Sequence, residues 1–227
     1  MSQDIDNLIM RYSAGSLDKP MSLLMASYMT LEPEARTKLA AADDLNATLV
    51  ETADPIAVNA DMLDSLMQHL DDAEASGVSE TGYLNGASHS VEKGAVKASS
   101  DVDIPAPLRE FLPSNVSDLK WRFIYPGVKA AKLASNEDGY DIRLLKIRPG
   151  KAAPHHAHDG MEATLVLRGA FKDGDQIYSR GDLAIADGRV EHRPRAVGDD
   201  VCLCLAVTTG PLRFKDRFSR VIKDFIS

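Results

Sequence analysis

Apolar side chains recur every three or four residues through the first 75 positions, the pattern of amphipathic helices with one buried side. The first three stripes are Ile5, Leu8, Ile9 and Tyr12; Met21, Leu24, Met25 and Tyr28; and Ala35, Leu39, Ala42, Leu45 and Leu49. A fourth stripe places Leu63, Leu66, Met67 and Leu70 opposite a row of aspartates. Pro20 and Pro33 suit first helical turns, and Asp54-Pro55 ends the third helix. The pattern predicts four short helices in a small bundle, with methionines that fill its core or, alternatively, suit an adaptable binding face.

The pattern changes twice after position 75. Residues 76–102 are rich in Ser, Gly, Ala and Glu without apolar periodicity, which is typical of a flexible linker. Short apolar runs then follow one another at 121–124, 130–133, 142–147, 164–167, 183–186 and 201–207, and residues 171–179 carry a hairpin signal. Many brief strands favour a barrel or sandwich. The predicted fold class is therefore α+β with two domains, all-α over 1–75 and all-β over 103–227, joined by that linker.

Composition places the chain among globular proteins, with 44% hydrophobic and 26% charged residues in 227 positions. No apolar stretch reaches the roughly 20 residues that a membrane-spanning helix needs. The acidic, polar N-terminus lacks the features of a signal peptide. We therefore expect a cytoplasmic protein that has no membrane partner.

Charge is distributed unevenly along the chain. Residues 1–75 hold 14 Asp and Glu against 4 Lys and Arg, a net charge of −10, whereas the remainder holds 20 against 22, a net charge of +2. An acidic surface repels nucleic acid phosphates and attracts basic proteins, so we expect no direct nucleic acid binding. The charge also has a plainer interpretation, since it would keep a small helical domain in solution.

Cys202 and Cys204 lie two positions apart in a predicted strand and so share one face. This spacing disfavours a disulfide between them. Buried thiols are the default interpretation, with a redox or metal role as the alternative.

A group of metal-binding residue types lies between positions 156 and 192. On an extended strand His156 and His158 point to the same side while His155 points away. A reversal at Asp159-Gly160 would return Glu162 beside them, and a second at Asp187-Gly188 would deliver His192. Three imidazoles and one carboxylate suit a divalent transition metal.

The same spacing resembles the first motif of the cupin family, met at Gly150, His156, His158, Glu162 and Gly169. The second motif is met at Gly181 and His192, with departures at Asp187, Gly188 and Ala196. The resemblance implies a double-stranded β-helix, or jelly-roll barrel, in which His156, His158, Glu162 and His192 bind one metal. It leaves open a homodimer through the barrel, because cupins often pair in this way.

The whole chain resembles the ChrR family of anti-sigma factors, in which a helical domain precedes a cupin. Four segments carry the resemblance: Tyr12 to Leu17, Met161 to Phe171, Val190 to Pro194 and Pro211 to Phe214. In that family the helical domain holds an extracytoplasmic-function (ECF) sigma factor away from RNA polymerase. The cupin domain is needed for release under stress, as with singlet oxygen. The resemblance implies an ECF sigma factor as the partner, and zinc as the cupin metal; iron, manganese and nickel also suit the donor set.

One departure concerns a second zinc site. Family members with a zinc-binding helical domain carry one His near the N-terminus and a His-x3-Cys-x2-Cys segment. The corresponding positions here are Gln3, Tyr28, Glu32 and Ala35. Glu32 alone cannot replace thiolates and imidazoles, so we expect no zinc in the helical domain. Either packing through Tyr28 and Ala35 compensates, or the chain no longer holds a sigma factor.

The leading hypothesis is a transcriptional regulator, an anti-sigma-like helical domain joined to a metal-binding cupin that senses stress. The alternative is a metal-dependent cupin dioxygenase or isomerase acting on a small molecule, because one fold hosts both roles. We assign no catalytic residue. Tyr125, Tyr178, Arg193 and Arg195 could approach the barrel mouth of such an enzyme, although surface exposure or packing is the plainer interpretation of each. A structural or metal-storage module ranks last.

Overall fold

The computed structural model describes residues 2–57, 59, 61–75, 104–135, 140–188, 191–210 and 212–214. Two compact units divide the chain, one of Met1–Thr48 with Ser100–Ser227 and one of Leu49–Ser99. Helices precede an antiparallel β region, which confirms the predicted α+β class. The predicted linker, 76–102, lies outside the described residues.

The four predicted helices are all present. They are α1 (Ser2–Ser13), α2 (Lys19–Leu31), α3 (Pro33–Thr52) and α4 (Met62–Ala75). A carboxylate oxygen of Asp18 accepts a hydrogen bond from the Met21 amide at 2.9 Å, which caps the start of α2. A fifth helix, α5 (Ala106–Phe111), was not predicted, because six residues are too few to show a period.

Eleven strands are assigned among the described residues. They are β1 (Arg122–Tyr125), β2 (Val128–Ser135), β3 (Tyr140–Ile147), β4 (His156–His158), β5 (Glu162–Arg168), β6 (Ala170–Asp173), β7 (Gln176–Ser179), β8 (Leu183–Ala186), β9 (Arg195–Val197), β10 (Cys202–Thr209) and β11 (Leu212–Phe214). They form a six-stranded sheet in the order β1-β2-β3-β10-β5-β8, a three-stranded sheet β7-β6-β9 and the pair β11-β4. Neighbouring strands in these sheets are antiparallel, and the predicted hairpin over 171–179 is confirmed as β6-β7.

The two faces of the six-stranded sheet pack against different partners. One face carries Leu144, Leu165 and Leu205, and these share a core with Leu24 and Met25 of α2. The opposite face carries Val166, Cys202 and Cys204, which pack with Phe171 and Tyr178 of the three-stranded sheet. Period-two alternation along the strands explains this division. Helices α1 and α2 therefore cover the outside of the barrel, and the second core lies within it.

The predicted inner face of α3 is correct only over its first half. Ala35 and Ala42 are buried, whereas Leu45 and Leu49 are 49% and 58% exposed. The apolar stripe of α4 is exposed along its length, with Leu66 at 56%. The expectation that Leu45 lies in a bundle core is therefore wrong, and the stripe of α4 is not covered within its own unit. Periodicity identifies the apolar side of a helix but not whether anything covers it.

The expected hairpin at Asp159-Gly160 needs correction. Strand β4 pairs with β11 rather than with β5, although the chain does reverse between them. The second expected hairpin, at Asp187-Gly188, joins strands of different sheets, since β8 pairs with β5 and β9 with β6. Gly188 packs against the first turn: a Cβ there would lie 2.7 Å from the carbonyl oxygen of His158. Only glycine allows this approach without displacement.

Candidate metal centre

The four predicted metal ligands come from three separate segments. His156 and His158 lie on β4, and Glu162 is the first residue of β5. His192 lies between β8 and β9, where its backbone exchanges two hydrogen bonds with His156, of 3.0 and 3.1 Å. Each of the four is at most 8% exposed. The fold thus brings all four side chains into the barrel interior.

Their donor atoms converge on one point. One ligand atom from each residue lies within 4.8 Å of all the others. His192 Nε2 lies 3.1 Å from His158 Nε2 and 3.2 Å from His156 Nε2, and Glu162 Oε2 lies 2.6 Å from His158 Nε2. Nitrogens bound to zinc at about 2.0–2.1 Å in a tetrahedron are separated by about 3.3 Å, close to the nitrogen separations here.

In His156 and His192, the hydrogen bond made by Nδ1 determines whether Nε2 carries a lone pair or a proton. His156 Nδ1 lies 2.8 Å from the Pro154 carbonyl oxygen, and His192 Nδ1 lies 2.7 Å from Asp173 Oδ2. Both oxygens are acceptors, so both Nδ1 atoms carry the proton. In the neutral rings, the Nε2 lone pairs therefore face each other across 3.2 Å. A positive charge between the nitrogens stabilises such an arrangement, and either a metal ion or a proton on one Nε2 would supply it.

Two supporting residues were not found from the sequence. Asp173, at the end of β6, orients His192, and the Thr164 hydroxyl donates to Glu162 Oε1 at 2.7 Å. Thr164 follows Glu162 by two positions and so faces the same side of the strand. This two-residue spacing could have predicted the contact from the sequence. Asp173 lies 19 positions from His192, on a strand of the other sheet, and no local pattern links them.

The site environment shifts the pKa values of two ligands. Burial of Glu162 opposes its ionisation, but its interactions with His156 and His158 outweigh burial and hold its pKa well below the ordinary range. Burial of His192 likewise opposes its positive charge, but the hydrogen bond to Asp173 prevails and raises its pKa. These two shifts keep Glu162 ionised and favour a positive charge beside it.

The other candidate residues do not belong to the cluster of four donors, although Tyr178 lines a cavity together with Glu162 and His192. Tyr178 is buried and stacks on Phe171, with ring centroids 5.0 Å apart. Tyr125 is half-buried and packs in the barrel core. Arg193 and Arg195 are exposed, and Arg195 donates to the Gly150 carbonyl oxygen at 2.8 Å.

Cys202 and Cys204 are free, buried thiols with sulfur atoms 3.4 Å apart. The hydrogen bond between them, together with burial, raises the pKa of Cys204 well above its ordinary value. This agrees with the default interpretation of buried thiols.

The positions that correspond to the family's second zinc site serve other purposes here. Tyr28 and Ala35 are buried in the core at 8% and 2% exposure. A carboxylate oxygen of Glu32 accepts a hydrogen bond from the Glu34 amide at 3.1 Å, at the start of α3. Gln3 is exposed on α1. These residues pack and cap helices and do not form a metal-binding set.

Across the described residues, no helix combines the length and the apolar character needed to cross a bilayer.

Comparison with known proteins identifies relatives of this chain. Residues 112–213 match the family model described as a ChrR cupin-like domain. The anti-sigma-E factor ChrR of Cereibacter sphaeroides is 34% identical over 220 residues, which cover 97% of this chain and 95% of the relative. A chain in the crystal structure of Rhodobacter sphaeroides SigE in complex with the anti-sigma ChrR superposes with a TM-score of 0.67 at 34% identity, covering 89% of this chain and 96% of that one. The barrel is a cupin, and the chain belongs to the ChrR family of anti-sigma factors.

Proposed function

We propose that this protein is a cytoplasmic anti-sigma factor that holds an ECF sigma factor through its helical region, 1–75, while its cupin domain, 103–227, binds zinc and senses stress. The relative named an anti-sigma-E factor matches 97% of the chain, and this match carries the proposal. The similar solved structure is itself a complex with a sigma factor.

The exposed apolar stripe of α4 supports a protein partner for the helical region. Met62, Leu63 and Leu66 are each more than half exposed, at 62%, 65% and 56%. Residues 49–75 carry seven Asp and Glu and neither Lys nor Arg. An acidic helix with an exposed apolar side suits a basic partner that offers an apolar groove. Sigma factors, which bind DNA, are partners of this kind.

The helical region has a means of folding without zinc. Tyr28 and Ala35 contribute to the core that α1, α2 and α3 share. Lys38 Nζ lies 2.9 Å from a carboxylate oxygen of Asp6 and joins α3 to α1. A second polar tie joins the same helices, since Asn46 donates to the Ser13 hydroxyl at 2.7 Å. These contacts support the view that apolar and polar packing replaces the family's zinc ligands.

The donor set supports a divalent metal in the cupin. Three imidazoles and one carboxylate accept zinc, iron, manganese or nickel, and we propose zinc because the resembling family uses it. Asp173 and the Pro154 carbonyl would keep His192 and His156 in the tautomers that metal binding needs. We propose that zinc belongs to this site alone and not to the helices.

Co-purification with a sigma factor tests the proposal. The tagged full-length chain is co-expressed with each ECF sigma factor encoded near it, and the stable complex is measured after size-exclusion chromatography. Replacing Leu66 and Leu70 of α4 with Ala should weaken the complex, whereas Ile177→Ala, at 51% exposure on β7, should not. Failure to capture any neighbouring sigma factor would refute the proposed partner. Equal loss with the Ile177 variant would refute the role of α4.

A further inference from the structure

The inner face of the six-stranded sheet carries an ordered set of side chains beside the metal donors. Strand register places Asp141 of β3, Thr208 of β10 and Glu162 of β5 in one row. The next row holds Arg143, Ala206 and Thr164. Adjacent strands lie about 4.8 Å apart, so the two outer residues of each row are roughly 10 Å apart. The charged residues of β3 and the polar residues of β5 are therefore separated by Ala206 and Thr208 of β10.

A cavity occupies this gap. It has a volume of about 80 Å³ and is lined by Asp141, Arg143, His156, Glu162, Ala206 and Thr208, and otherwise mainly by aliphatic side chains. Ala206 fills little of the space between the two outer strands. An apolar cavity of about 150 Å³ accepts benzene, so this smaller one suits a molecule of a few heavy atoms. Mixed apolar walls with a few converging polar groups are typical of a small-molecule site.

The charges around the cavity favour an anion. Arg143 Nη2 lies 2.6 Å from a carboxylate oxygen of Asp141, and Lys132 Nζ lies 3.8 Å from the same residue. Two cations thus share one carboxylate, so this group of three carries a net charge of +1, of which Asp141 and Arg143 line the cavity and the exposed Lys132 does not. At the opposite wall, a divalent cation held by three neutral imidazoles and Glu162 would also leave a net charge of +1. A monoanion is attracted from both sides, whereas a neutral molecule of the same shape gains only the weaker attraction between a charge and a dipole.

We propose that this cavity binds a short-chain monocarboxylate of about three or four carbon atoms, with its alkyl group against the Ala206 wall and its charge balanced by Arg143 and the metal site. The inference rests on the metal binding in the proposed function and names the class of ligand that the site would recognise. It does not require sigma factor binding, since every residue involved lies in the barrel.

Isobutyrate titration of the full-length chain tests this inference. Methyl NMR signals of Leu145 and Ile147, which line the cavity, report binding with zinc and after zinc removal. We expect saturable shifts with the zinc-loaded chain. Isobutyramide, which has the same shape without the charge, should bind at least about tenfold more weakly. Ala206→Leu fills the cavity and should weaken isobutyrate binding about tenfold or more, whereas Ala47→Leu, on the exposed surface of α3, should leave it unchanged.

A pair of charge variants keeps the test independent of cavity filling. Asp141→Asn frees both cations and should tighten isobutyrate binding several-fold; Arg143→Met removes one cation and should weaken it. Absence of saturable shifts, equal binding of the amide, or the same direction of change in both variants would overturn the inference. A chain that holds zinc but ignores isobutyrate refutes only this inference, whereas a chain that holds no zinc refutes the metal site of the proposed function.

Discussion

Leu24 of α2 provides a direct test that the N-terminal helices and the barrel share one core. Its side chain is fully buried, at 0% exposure, in the cluster that also contains Leu144 and Leu165 of the sheet. Leu24→Ala removes three buried carbon atoms and leaves a cavity that the surrounding side chains fill only partly. Such truncations cost about 2–5 kcal/mol, and full burial between a helix and a sheet places this one at about 3 kcal/mol.

Leu66→Ala is the matched control, because it makes the same chemical change at a side chain that is 56% exposed on α4. Surface substitutions of this kind change the free energy of unfolding by less than about 0.5 kcal/mol. The pair therefore separates the loss of packing from any general effect of replacing leucine in a helix.

Trp121 makes the assay specific to the barrel. It is the chain's one tryptophan, lies directly before β1, and donates through Nε1 to the Val116 carbonyl oxygen at 2.9 Å. Urea unfolding followed by its fluorescence reports the barrel side of the shared core. Leu24→Ala should lower the free energy of unfolding reported by Trp121 by about 3 kcal/mol. An unchanged Trp121 transition, or an equal loss in Leu66→Ala, would refute the shared core.

Three further predictions concern the metal site and the thiols. Asp173→Asn removes the carboxylate that orients His192 and should lower zinc affinity about 10–100-fold in a chelator competition. The control Asp175→Asn changes an exposed carboxylate and should leave zinc affinity unchanged. Equal effects of the two variants would contradict the orienting role of Asp173. The pKa of His192 is raised above its ordinary value of 6.5, so protons already compete with zinc for this imidazole at pH values above 6.5. Zinc affinity should therefore fall steadily between about pH 8 and pH 6, and a flat profile would exclude imidazole ligands. Cys202 and Cys204 are both buried, and the pKa of Cys204 is raised. Both thiols should therefore react slowly with a disulfide reagent at pH 7 in the folded chain and rapidly in urea. A fast reaction in the folded chain would contradict their burial.

The convergence of the four candidate metal ligands was predictable, mainly because most of its signal is local. His156 and His158 share a face through the two-residue period of a strand, and Glu162 follows within one reversal. His192 could be predicted because it matches the spacing of the second cupin motif. Asp173 was not, since its contact with His192 depends on the packing of one sheet against another. Pairing between strands distant in sequence leaves no periodic trace, and for the same reason the β4-β11 pair was missed.

Helix prediction succeeded for position and failed for environment. The stripes of α2 and α4 look alike in sequence, yet Leu24 is fully buried and Leu66 is more than half exposed. Local periodicity determines which side of a helix is apolar, whereas burial depends on whether another element is positioned to cover it. The sheet face that carries Leu144 and Leu165 covers α2. The exposed stripe of α4 is consistent with binding to another protein.

Metal content of the purified full-length chain tests the central claim most directly. We expect one zinc ion per chain by elemental mass spectrometry, because the four buried donors form one site and Gln3, Tyr28, Glu32 and Ala35 form none. His158→Ala removes a donor that lies 2.6 Å from Glu162 and should abolish most of this content, with circular dichroism confirming that the variant is folded. A wild-type chain without metal, or a folded His158→Ala chain with undiminished metal, would contradict the account.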